Sequence, residues 1–171
     1  MKYKGLILVV LIAVAVALLI FLPENKTYKE IASIGAPAPN FELRDADGNL
    51  WKLSDQKGKV VFVNFWATWC SVCKSEKPSI ENLYVKVQDK PIQMFGILFR
   101  DNPGNLTAYF QRQRVSYPTL ISNDDEVAAQ YGITGVPETF IIDKNGIIRE
   151  KIVGPRDWDA PEATALIEKW L

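Results

Sequence analysis

The sequence predicts one α/β domain built on a mixed β-sheet, set behind an amino-terminal membrane anchor. Three observations carry this reading. An unbroken apolar run covers residues 6–22. Short β-branched and aromatic runs alternate with amphipathic segments from residue 60 onward. Asn145-Gly146 then joins the last two of those runs in the manner of a hairpin. The 171 residues include 20 Lys or Arg and 20 Asp or Glu, and 48% are apolar, which suits a single domain with its own core. Balanced charge argues against a nucleic-acid binder. Histidine is absent, which removes the usual general base, zinc ligand and haem ligand. No cofactor and no metal is expected.

Lys2 and Lys4 precede 18 uncharged residues, 5–22, which as a helix reach about 27 Å, close to the thickness of a hydrocarbon core. Ala13-Val14-Ala15 and Ala15-Val16-Ala17 offer small-x-small cleavage sites, but residues 18–22 continue the apolar run beyond them. Residues 1–22 therefore read as an uncleaved transmembrane signal anchor. The positive-inside tendency leaves the two lysines in the cytoplasm and puts everything after Pro23 outside. In a bacterial chain this means a single pass through the inner membrane, with the domain on the periplasmic side. Residues 23–35 mix charged and polar residues and read as a tether, and 36–171 as the folded domain.

Within that domain, residues 40–44 and 50–53 flank the turn-rich segment 45–49 and predict an added opening hairpin. Residues 60–66 have almost no polar member, as expected of a central strand covered on both faces. A helix follows, with helical spacing over 76–88, and residues 92–99 return to a strand pattern, completing a β-α-β unit. A helix over 105–114, a strand at 119–122 and a short helix over 125–131 come next. Strands 138–143 and 147–153 form the final hairpin, and a helix over 161–171 closes the chain.

The two cysteines form one motif, Cys70-Ser71-Val72-Cys73, directly after the central strand and at the opening of the next helix. Unsatisfied N–H groups and the positive end of the dipole favour a thiolate on the first cysteine. The i, i+3 spacing puts both side chains on one face, the first open to solvent and the second turned inward. Cys70 is thus expected to attack and Cys73 to resolve. Other uses of the pair fit less well. A structural disulfide would close only a four-residue loop, zinc lacks two further ligands, and Lys74 stands where covalent haem attachment needs histidine. A peroxidatic loop would need Pro and Thr where the chain has Val63 and Ala67.

The segment Phe65-Trp66-Ala67-Thr68-Trp69-Cys70-Ser71-Val72-Cys73-Lys74, with Pro78 beyond it, resembles the active-site stretch of the thioredoxin superfamily. Gly132-Ile133-Thr134-Gly135-Val136-Pro137-Glu138-Thr139-Phe140 resembles the segment carrying its cis-proline. With the opening Ala-Pro-Asn-Phe and Phe99-Arg100-Asp101, the pattern is most similar to the membrane-anchored CcmG (DsbE) group of cytochrome c biogenesis proteins, with the ResA and TlpA group next. The resemblance implies a thioredoxin-like fold and a protein disulfide oxidoreductase. Its implied substrate is the Cys-x-x-Cys-His disulfide of apocytochrome c or a haem-ligation partner. Its implied electron donor is a membrane protein of the DsbD or CcdA type. A ResA- or TlpA-like reductase serving another envelope protein is the alternative, and a non-redox peptide-binding module using the groove at Pro137 is a rival of another class.

Asn64 occupies the place where typical thioredoxins carry a buried aspartate, so another base is expected for Cys73. Glu76, at i+3 on the helix and similar to a ResA-type glutamate, and Glu138, beside Pro137, are the candidates. Each also has a plainer reading, Glu76 as a helix-start residue and Glu138 as a solvating strand end. Ser71-Val72 brings no charge, and nearby carboxylates oppose a thiolate against Lys74 and the helix dipole, which points to a reductant. Pro137 is expected to be cis by resemblance, keeping the backbone of Val136 open to a substrate peptide. Trp66 and Trp69 read first as core or rim aromatics, and Trp69, next to Cys70, is also the candidate to shield a mixed disulfide.

Overall fold

The computed structural model describes residues 11–14, 32–122 and 125–171. Residues 11–14 are helical and exposed. The rest of the anchor assigned to 1–22, and residues 23–31 of the tether, lie outside the described residues. Among the described residues no helix is long and apolar enough to cross a membrane.

The folded unit is built around β3, Val60–Trp66, in which every residue is buried. Its neighbours are β4 (Ile92–Leu98), parallel, and β6 (Glu138–Ile142), antiparallel. β5 (Thr119–Ile121) extends the parallel part beside β4, and β7 (Ile148–Val153) pairs antiparallel with β6. The opening hairpin, β1 (Glu42–Asp45) and β2 (Leu50–Lys52), joins antiparallel to β5. The seven strands run β2-β1-β5-β4-β3-β6-β7. This is the thioredoxin-like mixed sheet expected, parallel at its centre and antiparallel at both flanks.

Alternation along β3 divides the core, because successive side chains point to opposite faces. Val61, Val63 and Phe65 pack with Phe95, Tyr131 and Phe140 on one face. Val60 and Phe62 pack on the other, against Ile80, Leu83 and Val87 of α1 (Ser71–Val87). Each such side chain contributes roughly 1.5–3 kcal/mol through burial. Shorter helices, α2 (Asn105–Phe110), α3 (Glu126–Gln130) and α4 (Pro161–Glu168), cover the remaining surface.

Helix α2 stops short of the span expected to 114 because Gln111, Arg112 and Arg114 are exposed and bury no apolar surface to extend it. The domain also begins before residue 36. Ala32 is buried and its N–H donates to Gln130 O (3.0 Å), while Gly35 N donates to Ile148 O (2.8 Å). Residues 32–35, Ala-Ser-Ile-Gly, are held by backbone pairing, which so short a segment of mostly small residues does not reveal.

Candidate active site

β3 ends at Trp66, and residues 67–69 carry the chain to Cys70, which caps α1 from an extended conformation (φ −81°, ψ 105°). The segment after β4 clamps this loop. Thr68 N donates to Asp101 Oδ2 (2.5 Å), Trp69 Nε1 donates to Arg100 O (3.1 Å), and Phe99 N donates to Trp66 O (2.8 Å). Asn105 Nδ2 holds the other Asp101 oxygen at 2.9 Å. Burial opposes the charge on Asp101, but the bonds from Thr68 and Asn105 outweigh it and keep the carboxyl below its ordinary range. Asp101 and Arg100 thus support the loop, a role that only their part in the family-like segment had hinted at.

Cys70 and Cys73 are joined in a disulfide, with Cα atoms 5.3 Å apart. Cys73 N lies 3.0 Å from Cys70 Sγ. Cys70, expected to be open to solvent, is buried at 6% exposed because the disulfide and Val136 cover it, and Cys73 is at 0%, so the asymmetry survives in direction alone. The surface over Cys70 is apolar, with Trp69 (58%) and Val72 (44%) open to solvent. Across from them the Val136-Pro137 bond is cis, and Val136 O lies 3.6 Å from Cys70 Sγ. Val136 thus faces the first sulfur at the cis bond to Pro137, while Trp69 and Val72 are exposed neighbours of Cys70 in the chain.

The two candidate carboxylates go to different places. Glu76 is buried on the inward face of α1, where Oε1 accepts from Trp158 Nε1 (2.7 Å) and Arg156 N (3.0 Å), while no hydrogen-bond partner is found for Oε2 among the described residues. Burial pushes its carboxyl above the ordinary value, partly offset by those bonds and by neighbouring Lys77. Glu138 pairs in register with Phe65, whose side chain belongs to the face of the sheet opposite α1. Its Oε1 meets Lys151 Nζ at 2.8 Å. Glu138 is close to Pro137 in sequence, but strand alternation turns it away from the face that carries Cys73.

A further buried group lies one turn beyond Cys73 on α1. Lys77 is 1% exposed, and its Nζ donates to Tyr117 OH (2.9 Å) and Asn64 Oδ1 (3.2 Å) while sitting 4.0 Å from the centre of the Trp66 ring. Asn64 Nδ2 in turn donates to Thr139 Oγ1 (2.9 Å). Burial lowers the Lys77 pKa to about 7, against the raising influence of Glu76 and Glu81. Sequence reasoning missed it, although a signal exists. Cys73, Lys77, Ile80, Tyr84 and Val87 follow one another at steps of four and three, so Lys77 occupies a place in the apolar stripe.

A buried cysteine pair at a helix start, facing a cis-proline, is suited to thiol-disulfide exchange. The chain matches the model of the AhpC/TSA family over residues 34–151. It is 35% identical over 128 residues to the thiol-disulfide oxidoreductase ResA of Geobacillus thermodenitrificans (strain NG80-2), covering 75% of this chain and 74% of that protein. Among solved structures it is similar to a thiol:disulfide interchange protein of the thioredoxin family from Chlorobium tepidum TLS (TM-score 0.69, 30% identity, 79% of this chain and 97% of that one). It is also similar to a candidate thiol:disulfide interchange protein DsbE from Chlorobium tepidum (TM-score 0.70, 27% identity, 81% and 95%). The relatives thus span the ResA and DsbE groups named from the motifs. With its cysteine pair intact, the chain belongs to the thioredoxin-like AhpC/TSA family, as one of the thiol-disulfide oxidoreductases.

Proposed function

We propose that this oxidoreductase is a reductant of protein disulfides on the outer side of the bacterial inner membrane, anchored by residues 1–22 and serving cytochrome c maturation. Its substrate is the Cys-x-x-Cys-His disulfide of apocytochrome c or a thiol protein of the haem-ligation route. A membrane donor of the DsbD or CcdA type returns it to the dithiol. The observation that carries the reading is the approach of Cys70 Sγ to Val136 O, 3.6 Å, at the cis-proline, with Trp69 and Val72 exposed on either side of Cys70 in the chain. A peptide laid along Val136 brings its own sulfur to Cys70.

In the forward reaction the Cys70 thiolate attacks one sulfur of the substrate disulfide, and the other substrate sulfur leaves as thiolate. Cys73 then attacks Cys70 Sγ, closing the Cys70–Cys73 bond and releasing the second substrate sulfur. Glu76 is assigned as acceptor of the Cys73 proton. It lies on the same helix at i+3, and its burial-raised carboxyl is a better base than an ordinary one. Glu138, on the other face of the sheet, supports the strand end with Lys151. An uncharged Ser71-Val72 and a buried carboxylate support a potential well below the value of about −120 mV of the oxidant DsbA; a value near that of DsbA would overturn the reductant assignment.

Replacing Cys73→Ala in the full chain traps the substrate on Cys70. Recovery of apocytochrome c or a haem-ligation protein supports the reading. The 35% identity to a ResA thiol-disulfide oxidoreductase, against 27% to the DsbE-type structure, supports grouping the chain with ResA; the second reading is a ResA-like thiol reductase for another envelope protein, and recovery of such a protein would establish that one instead.

A further inference from the structure

Lys77 is not used by the exchange reaction as written, yet a buried lysine is costly unless its charge has a purpose or a partner. In an α-helix, residues four apart share a face and side chains lean toward the amino terminus, so Lys77 reaches from its place in α1 back toward Cys73. The Trp66 ring under its Nζ belongs to the same buried cluster as Cys70 and Cys73. Two oxygens, Asn64 Oδ1 and Tyr117 OH, fix the nitrogen there. The other titratable groups around it are Glu76 and Glu81 on α1, Tyr117 before β5 and Tyr109 on α2. From β3 it meets Asn64 and Trp66, and Asn64 in turn bonds Thr139 of β6; none of the three titrates.

We propose that Lys77 is a positioning residue for Cys73: its ammonium group, fixed by Asn64, Tyr117 and Trp66 one helical turn away, is the counter-charge of the Cys73 thiolate. The inference rests on the cysteine pair cycling as described above. In the resolving step a proton passes from Cys73 Sγ to the Glu76 carboxylate. The sulfur's electron pair forms the bond to Cys70 Sγ, and the substrate sulfur leaves with the electron pair of the mixed disulfide. Negative charge thereby moves from Glu76 to Cys73. Lys77, next to one and four residues from the other, serves both anions, so the transfer creates no unpaired charge in the dry interior.

The test is a titration of the Cys73 thiol in the reduced full chain, followed by the chemical shift of its labelled β-carbon, in the unchanged protein and in Lys77→Met. Methionine fills the same space without charge. The thiolate fraction of Cys73 at neutral pH is expected to fall about tenfold in Lys77→Met, the equivalent of one pKa unit. Coincident titration curves would overturn the proposal. A second measurement needs no variant: the labelled ε-carbon of Lys77 is expected to titrate at higher pH in the dithiol than in the disulfide form, and identical titration in the two states overturns the proposal even where Lys77→Met does not fold. A pair that mild thiols cannot reduce would remove the functional reading and this inference together. A pair that cycles normally with unchanged titrations removes this inference alone.

Discussion

Cys73 N points at Cys70 Sγ across 3.0 Å, so a free N–H of the first helical turn faces the sulfur of the residue that caps it. The same turn leaves Cys70 slightly accessible, at 6%, and Cys73 fully buried. Once reduced, Cys70 is expected to react with iodoacetamide about tenfold or more faster than Cys73, because reactivity follows thiolate character and access. Mass spectrometry of partly alkylated protein reads the order directly; equal labelling of the two would contradict the division into attacking and resolving sulfurs.

Glu76 has a structural task separable from the chemical one proposed for it. Glu76→Ala leaves Trp158 Nε1 and Arg156 N without their acceptor in a buried place, and a loss of about 1–3 kcal/mol in unfolding free energy is expected. Glu76→Gln keeps an oxygen for both donors and is expected to cost less, yet to slow release of the mixed disulfide because an amide takes up no proton. Denaturant melts and single-turnover kinetics on the two variants separate these effects.

At Gly96 an added methyl would lie 2.9 Å from Trp66 Nε1 and 3.4 Å from Tyr117 Cε2. Both belong to rings packed around the Lys77 ammonium. Gly96→Ala is expected to lower stability by about 1–3 kcal/mol through overpacking, visible as a lower Tm. It is also expected to shift the titration of Cys73, because the ring that carries the cation has to move.

Lys77 makes stability depend on pH with a definite sign. Its pKa falls from 10.5 in the free side chain to about 7 in the folded chain, so between these values the unfolded chain binds more protons and stability rises with pH. Below about pH 7 both states hold the proton, and the cost of the buried cation is fully present. Lys77→Met is therefore expected to be more stable than the unchanged protein at neutral and acid pH, by an amount on the order of a few kcal/mol. The advantage should shrink as pH rises toward 10. Urea melts at a series of pH values measure this, and a difference independent of pH would refute the assignment of a titrating buried amine.

Much of the architecture is legible because its pattern is local. Residues 60–66 are apolar almost throughout, and β3 spans the same residues, Val60–Trp66. The final hairpin follows from Asn145-Gly146, where Gly146 takes φ 82°. The cysteines and the proline stand in motifs that fix them regardless of what surrounds them. Glu138 was harder, since closeness in sequence to Pro137 says nothing about face; one step along a strand moves a side chain across the sheet. Lys77 was missed for a different reason. A lysine reads as surface, and only its place in the stripe between Cys73 and Ile80 marks it as interior. Its partners come from Asn64 and Tyr117, 13 and 40 residues away in the chain.

The grip of Asp101 and Arg100 on Thr68 and Trp69 means that Cys70 is located by a part of the chain outside its own motif. Ser71 and Val72, both facing solvent, take no part in that grip. The two intervening residues can therefore be exchanged to adjust how strongly the pair holds electrons while the grip that locates Cys70 stays the same. A scaffold with such separate controls lends itself to redesign as a family of exchangers of graded strength.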